Sequence, residues 1–266
     1  CKVKLSYGMI SRLINLYSKG SLRDIRCVDK KLVINNVPIT GIDVDSITWG
    51  KILGYEEVDG VWVKNGVKFV NMRDSIIKVF ELNEYELLDV KNKVVIDVGS
   101  YIGDSPIYFV LKGATRVYAI EPHPSAYQEM LENIRLNNME DRIIPINAAL
   151  GRAKACISSD ELMKRSVNET EWTYYSPSNY VASNNCIEVM PLRGIIMNYG
   201  IEEAVLKIDC EGCEYDVLIN DYEIIRKTIT ELIMEYHRRN NYSLNTIINI
   251  VKHDYKCIKI KGNKSV

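Results

Sequence analysis

The sequence is short of several things that would place a chain at once. No apolar run in its 266 residues reaches the roughly 18 that a membrane-spanning helix needs. No charge of one sign dominates, since 34 Lys and Arg stand against 35 Asp and Glu for a net charge of −1. A nucleic-acid binder advertises itself by a basic surplus, which is missing. The opening residues show no charged-then-apolar leader pattern. There is no internal repeat and no low-complexity tract. Cysteine is not scarce, but its 7 copies are odd in number and scattered through a chain too large to need stapling. Free thiols in a reducing, cytoplasmic setting are the expectation. Cys210 and Cys213 form a C-x-x-C with no second closely spaced pair, so a four-ligand zinc site is not expected. The two read instead as small packed side chains.

What is present is a core. With 47% hydrophobic residues the chain can bury a large interior. Residues 1–90 read as a small N-terminal α+β accessory region, and residues 91–266 as an α/β domain. In the first, Ser6 to Lys19 has helical apolar spacing, and Lys31 to Thr40 is strand-like about Asn35-Asn36. Asp59-Gly60 and Asn65-Gly66 mark hairpin turns within 55–70. Residues 74–89 look helical. In the second, strands at 94–98, 117–120, 142–146, 204–209 and 228–236 alternate with helices at 104–110, 125–137, 214–220 and 244–251. That alternation implies a doubly wound, mostly parallel sheet of Rossmann-like type. A last strand is expected at 255–260. Between Arg152 and Glu188 the alternation fails. Trp172, Tyr174, Tyr175 and Tyr180 lie there, and residues 158–185 are expected to cover the acceptor pocket.

The run VVIDVGSYIGDSPIYFV, Val94 to Val110, with VYAIEPHPSAY, Val117 to Tyr127, carries the chemistry. A buried β-branched strand ends in Asp97, Gly99 and Gly103 bracket a turn, and a helix opens at Asp104. Glu121 tips the next strand, about 20 residues beyond the glycines, where an acid suits the two hydroxyls of a ribose. The loop is G-x-x-x-G rather than the G-x-G-x-x-G of a dinucleotide site, and Asp104 would repel a pyrophosphate. A ribose without phosphates fits, which points to S-adenosylmethionine.

Several segments together resemble the FkbM-type family of class I methyltransferases. VVIDVGSYIGDSPIYF resembles its first motif. VYAIEPHPSAYQEMLENIRLNN resembles its second strand and helix, and INAALG its third strand. LKIDCEGCEYDVL, Leu206 to Leu218, resembles the family's Lys-Ile-Asp-x-Glu-Gly-x-Glu signature, and IMEYH, Ile233 to His237, its fifth strand. The resemblance runs from about residue 80 to 255. It implies S-adenosylmethionine bound by Asp97, Gly99, Ser100, Tyr101, Gly103, Asp104, Glu121, Pro122, His123, Asn147, Ala148 and Asp209. It also implies O-methylation of a small molecule, sugar or lipid-like acceptor.

Asp209, Glu211 and His237 all follow strand ends on the ligand edge. They are the expected catalytic residues, able to take a proton from a hydroxyl or, alternatively, to ligate a metal; the metal-free version is preferred and no metal is assigned. Glu214 reads as a first-turn acid facing the helix dipole. Two other classes remain open. LNNMEDRIIPIN resembles archaeal tRNA methyltransferases, which commonly carry an Asn/Asp-Pro-Pro motif after strand four; here Asp209-Cys210-Glu211-Gly212 stands in that place. A basic face around Arg238 and Arg239 would favour RNA. A non-catalytic binding module that keeps only the fold is the other.

Overall fold

The computed structural model describes residues 5–39, 41–163, 186–237 and 243–255. The chain opens with helix α1 (Tyr7–Ser18), whose N-cap Ser6 accepts the Met9 N–H. Strands β1 (Ile25–Val28), β2 (Lys31–Ile34) and β3 (Val37–Ile39) form an antiparallel meander. Helix α2 (Ser46–Ile52) follows, then a second meander of β4 (Glu56–Val58), β5 (Val61–Lys64) and β6 (Val67–Phe69). The expected turns hold both central residues at positive φ: Asn35 and Asn36, Asp59 and Gly60, Asn65 and Gly66. That geometry suits the twist of two-residue hairpins. Strand β1 was not expected, because its hairpin turns through Asp29-Lys30, again at positive φ but without the usual Asn-Gly signal.

The helix expected over 74–89 is shorter. Helix α3 (Asp74–Ile76) runs into a π-helical turn at Ile77–Glu81, and the left-handed Asn83 then ends it. Wide turns of this kind occur often at functional sites.

The main sheet is built from β7 (Val94–Val98), β8 (Arg116–Ile120), β9 (Ile143–Ile146), β13 (Ala204–Ile208) and β14 (Ile229–Met234). Its order is β14-β13-β7-β8-β9, parallel throughout. Helices α4 (Asp104–Leu111), α5 (Pro124–Leu136), α7 (Leu192–Asn198) and α8 (Glu214–Thr228) make the crossovers, and α9 (Leu244–Val251) follows β14. This is the expected doubly wound α/β sheet. The interior strand β13 is buried at every position, as a strand covered on both faces must be. Pro145 sits in the edge strand β9, where its missing N–H disrupts no second ladder. Helix α8 outruns its expected end at Asn220. Asp221, within it, is 2% exposed and pairs with Arg193.

The described residues flanking 164–185 are more regular than expected. Strands β10 (Ala148–Leu150), β11 (Ala155–Ser158) and β12 (Cys186–Met190) form a small sheet, with α6 (Ser159–Met163) beside it. The four aromatic residues at 172–180, most of the expected cover at 158–185, the Arg238–Arg239 pair and the strand at 255–260 lie outside the described residues, apart from 158–163 and Tyr255. Among the described residues no helix is long and apolar enough to cross a membrane.

Two apolar clusters lie on the two faces of the sheet. One joins α1, α2 and the meanders to α4 and α5, from Met9 to Val205; the other gathers α7, α8 and α9. The N-terminal region thus shares a core with the α/β domain. Asn133 of α5 is fully buried and stitches the two, accepting the Val70 N–H at 2.8 Å and donating to the Ile102 carbonyl at 2.8 Å.

The cysteines correct the sequence expectation. Cys156–Cys186 and Cys210–Cys213 are disulfides, with Cα separations of 5.6 and 5.5 Å, and Cys27 is disulfide-bonded as well. Spacing along the chain gave no sign that β11 and β12 would bring 156 beside 186.

Candidate active site

The strand order reverses between β7 and β13, and a crevice outside the carboxyl ends of strands at such a switch point is where α/β sheets bind ligands. A cavity of about 440 Å³ opens there. Gly99 explains why the crevice is so tight. At φ +77° a built Cβ would stand 1.7 Å from the Asp209 carbonyl oxygen, so only glycine lets β7 and β13 approach this closely. Gly103, at φ +87°, caps α4 and leaves room for Met130.

Asp97 lies beneath this loop at 0% exposure. It accepts from the Ser105 hydroxyl at 2.6 Å and pairs with the buried Lys207 ammonium at 3.0 Å. Lys207 also donates to the Gly99 carbonyl at 2.5 Å. Burial pulls the Lys207 pKa down, but Asp97 and Asp209 outweigh it and hold the group charged. Sequence reasoning gave Lys207 no role. The signal was there, since a lysine within a fully apolar strand demands a buried partner.

At one end of the cavity stands Glu121, 5% exposed. One carboxylate oxygen accepts the Tyr101 N–H at 2.8 Å and the other the His123 N–H at 2.8 Å. Burial raises its pKa to about 7 against the lowering effect of those two bonds. Pro122, Ala148 and Leu150 line the wall beside it, with Ile120 below.

At the other end stand Asp209, Glu211 and His237. Glu211 adopts φ 52°, and the Cys210–Cys213 disulfide spans it. His237 Nε2 faces Glu211 Oε2 at 3.1 Å and Asp209 Oδ1 at 3.9 Å. Its Nδ1 bonds to Glu214, which is fully buried. Burial lowers the His237 pKa, but the bonds to Glu211 and Glu214 win and raise it to about 11. Glu214 is therefore more than the helix-dipole acid expected of it, because it fixes the imidazole. The Tyr85 hydroxyl donates to Asp209 Oδ2 at 3.4 Å.

Ser75, Lys78, Val79, Glu84 and Tyr85 complete the wall from the N-terminal region. Burial raises the Glu84 pKa to about 7, with Asp209 and Glu235 adding to the shift. Burial and Asp209 raise Glu235 as well.

Of the expected cofactor residues, Gly99, Tyr101, Asp104, Glu121, Pro122, Ala148 and Asp209 line the cavity. Asp97, Ser100, Gly103, His123 and Asn147 are not among the lining residues and build the wall from behind. Ser100 bonds to the Asp97 carbonyl, His123 caps α5, and Asn147 donates to the Glu121 carbonyl at 2.8 Å.

The family model for the Methyltransferase FkbM domain matches residues 97–257 of the 266. A tRNA (guanine(37)-N(1))-methyltransferase, Trm5b of Methanocaldococcus jannaschii, is 40% identical over 55 residues, 21% of this chain and 16% of that protein. The ribosomal protein L11 methyltransferase of Carboxydothermus hydrogenoformans is 43% identical over 54 residues, 20% of this chain and 18% of that protein. The chain therefore spans less than a fifth of either curated relative. The solved structure of the M. jannaschii tRNA m1G37 methyltransferase is 25% identical at a TM-score of 0.27, covering 32% of this chain and 28% of that one.

Proposed function

The chain belongs to the FkbM methyltransferase family, and on that premise we propose that its switch-point cavity transfers a methyl group from S-adenosylmethionine to a hydroxyl of a small-molecule, sugar or lipid-like acceptor. The carrying observation is the division of one cavity into two unlike ends. Glu121 stands at the first, and the cluster of Asp209, Glu211 and His237 at the second.

The residues at the first end fit the cofactor. Each Glu121 oxygen accepts one backbone N–H and keeps a further lone pair for a ribose hydroxyl. Ile120, Pro122, Ala148 and Leu150 offer apolar surface for a purine. Gly99 and Tyr101 border the space left for the amino-acid portion. Glu84, Asp104, Glu121, Asp209, Glu211 and Glu235 outnumber Lys78, Lys207 and His237 on the wall, which suits a cationic donor.

When bound, the cofactor would supply an electrophilic sulfonium methyl for the acceptor oxygen, with the C–S bonding pair leaving on the thioether sulfur. Glu211 takes the one proton the hydroxyl gives up, with Asp209 beside it. His237, anchored by Glu214, holds those carboxylates in place. Tyr85 and the π-helical turn close the cavity on the N-terminal side, which helps exclude water.

The runner-up is RNA methylation, favoured by the match to the tRNA methyltransferase over 55 residues. The acid-rich wall weighs against a polyanionic acceptor. Incubation with methyl-labelled S-adenosylmethionine and parallel panels of hydroxylated small molecules and total tRNA separates the two. Label in hydroxyl acceptors alone is the expected result, and label in tRNA alone would overturn the acceptor class.

A further inference from the structure

We infer that Asp209, Glu211 and His237 form a binding site for one divalent transition cation of the Mn²⁺ type, at the acceptor end of the cavity. One ligand atom from each of the three lies within 4.8 Å of the others. The His237 Nε2 to Glu211 Oε2 distance is 3.1 Å and that to Asp209 Oδ1 is 3.9 Å. A first-row cation bonded at about 2.0–2.2 Å sets its ligands about 3–4 Å apart. The two histidine–carboxylate distances already fall in that range.

The orientation of the ligands points the same way. A ligating histidine almost always gives its second ring nitrogen to a carboxylate, which fixes the ring and raises its basicity. Here Nδ1 is engaged by Glu214, at 0% exposure, so that Nε2 is turned toward the two cavity carboxylates. Asp209 is held in a similar way, with Tyr85 on Oδ2 and Oδ1 left toward His237. Glu211 is set by its left-handed backbone inside the Cys210–Cys213 loop. Each of the three ligands is therefore aimed by a constraint that lies outside the cluster.

A cation between them replaces the Nε2 proton and offsets two carboxylate charges at once. One imidazole with two carboxylates suits Mn²⁺, Fe²⁺ or Zn²⁺ better than Mg²⁺, which prefers an all-oxygen shell. All three residues line the cavity, where a hydroxyl bound to the cation would ionise more readily.

The inference rests on the proposed methyl-transfer site, and its test is independent of it. Mn²⁺ alone is titrated into the whole chain, free of cofactor, and free Mn²⁺ is read by electron paramagnetic resonance. One saturable site is expected in the wild type. His237→Ala and Glu211→Gln should abolish it, and Glu214→Gln should weaken it by about 10–100-fold. In parallel, S-adenosylhomocysteine affinity is measured on the same proteins. Retained nucleoside binding shows that each variant is folded; its loss in the wild type would count against the methyl-transfer reading and leave the cation result standing. The cation site is overturned if folded wild type shows no saturable Mn²⁺ or Zn²⁺ binding, or if His237→Ala binds as tightly as wild type.

Discussion

The two ends of the cavity are held in different ways. Glu121 is gripped by backbone: the Tyr101 and His123 amides each meet one oxygen, and both lie within 20 residues of it along the chain. The acceptor end is gripped by side chains brought from afar. Tyr85, Asp209, Glu211, Glu214 and His237 come from four places: the turn after α3, the end of β13, the start of α8 and the end of β14. A backbone grip follows from local geometry and tolerates change in its neighbours. A side-chain grip exists only once the whole sheet is assembled, and each member can be altered separately. The first suits a cofactor that does not vary, the second an acceptor that does.

The largest effect that would sharpen this contrast lies at the acceptor end. Glu211→Gln should lower turnover by ~10²–10⁴, the usual worth of a positioned proton acceptor, while nucleoside affinity stays within a few-fold. A proportional loss of both would merge the two ends and break the comparison. The next effect lies where the ends meet. Gly99→Ala should destabilise the fold by on the order of 3 kcal/mol in a denaturant melt, because the methyl would run into the Asp209 carbonyl at a left-handed backbone position. A melt unchanged within error would mean that β7 and β13 do not approach as closely as described.

A smaller effect is expected from the Cys210–Cys213 disulfide. Closing so short a loop is worth about 2 kcal/mol in the chain-entropy picture. The Cys210→Ser, Cys213→Ser double variant should therefore melt earlier and lose turnover, yet bind S-adenosylhomocysteine as the wild type does. Weakened nucleoside binding would show that the loop serves both ends. The smallest effect concerns pH. The Glu121 pKa is raised to about 7, so the carboxylate is fully charged only above that value. Ribose hydroxyls donate to the charged form. Nucleoside affinity should hold above pH 7 and fall by up to about tenfold per unit below it, followed by calorimetry. The ligand-free fold responds with the opposite sign. This group's preference for its proton favours the native state at low pH, and that contribution is lost as pH rises through about 7. A nucleoside affinity flat from pH 8 to 5.5 would remove Glu121 from the ribose.

The same division explains what the sequence could reveal. The β7 run, the helix opening at Asp104 and Glu121 were legible because their geometry is local: a β-branched strand, a glycine turn, an acid at the next strand tip. The convergence of Asp209, Glu211 and His237 was legible as topology, since strand ends in a parallel sheet share one edge. Three things were not. Glu214 reads from sequence as a helix-dipole acid, because sequence position cannot show that His237 turns its Nδ1 toward it. Tyr85 and the π-helical turn were hidden inside a pattern that looked like continuous helix. The Cys156–Cys186 bond depends on the pairing of β11 with β12, and no spacing rule encodes that.

The most direct test of the central claim is calorimetric titration of S-adenosylhomocysteine into the wild type, Glu121→Ala and Glu211→Gln side by side. The account predicts saturable binding to the wild type and to Glu211→Gln with closely similar affinity. For Glu121→Ala it predicts a loss of about 1–3 kcal/mol from stranded hydrogen-bond partners. Equal affinity in Glu121→Ala and wild type, or loss in Glu211→Gln alone, would contradict it.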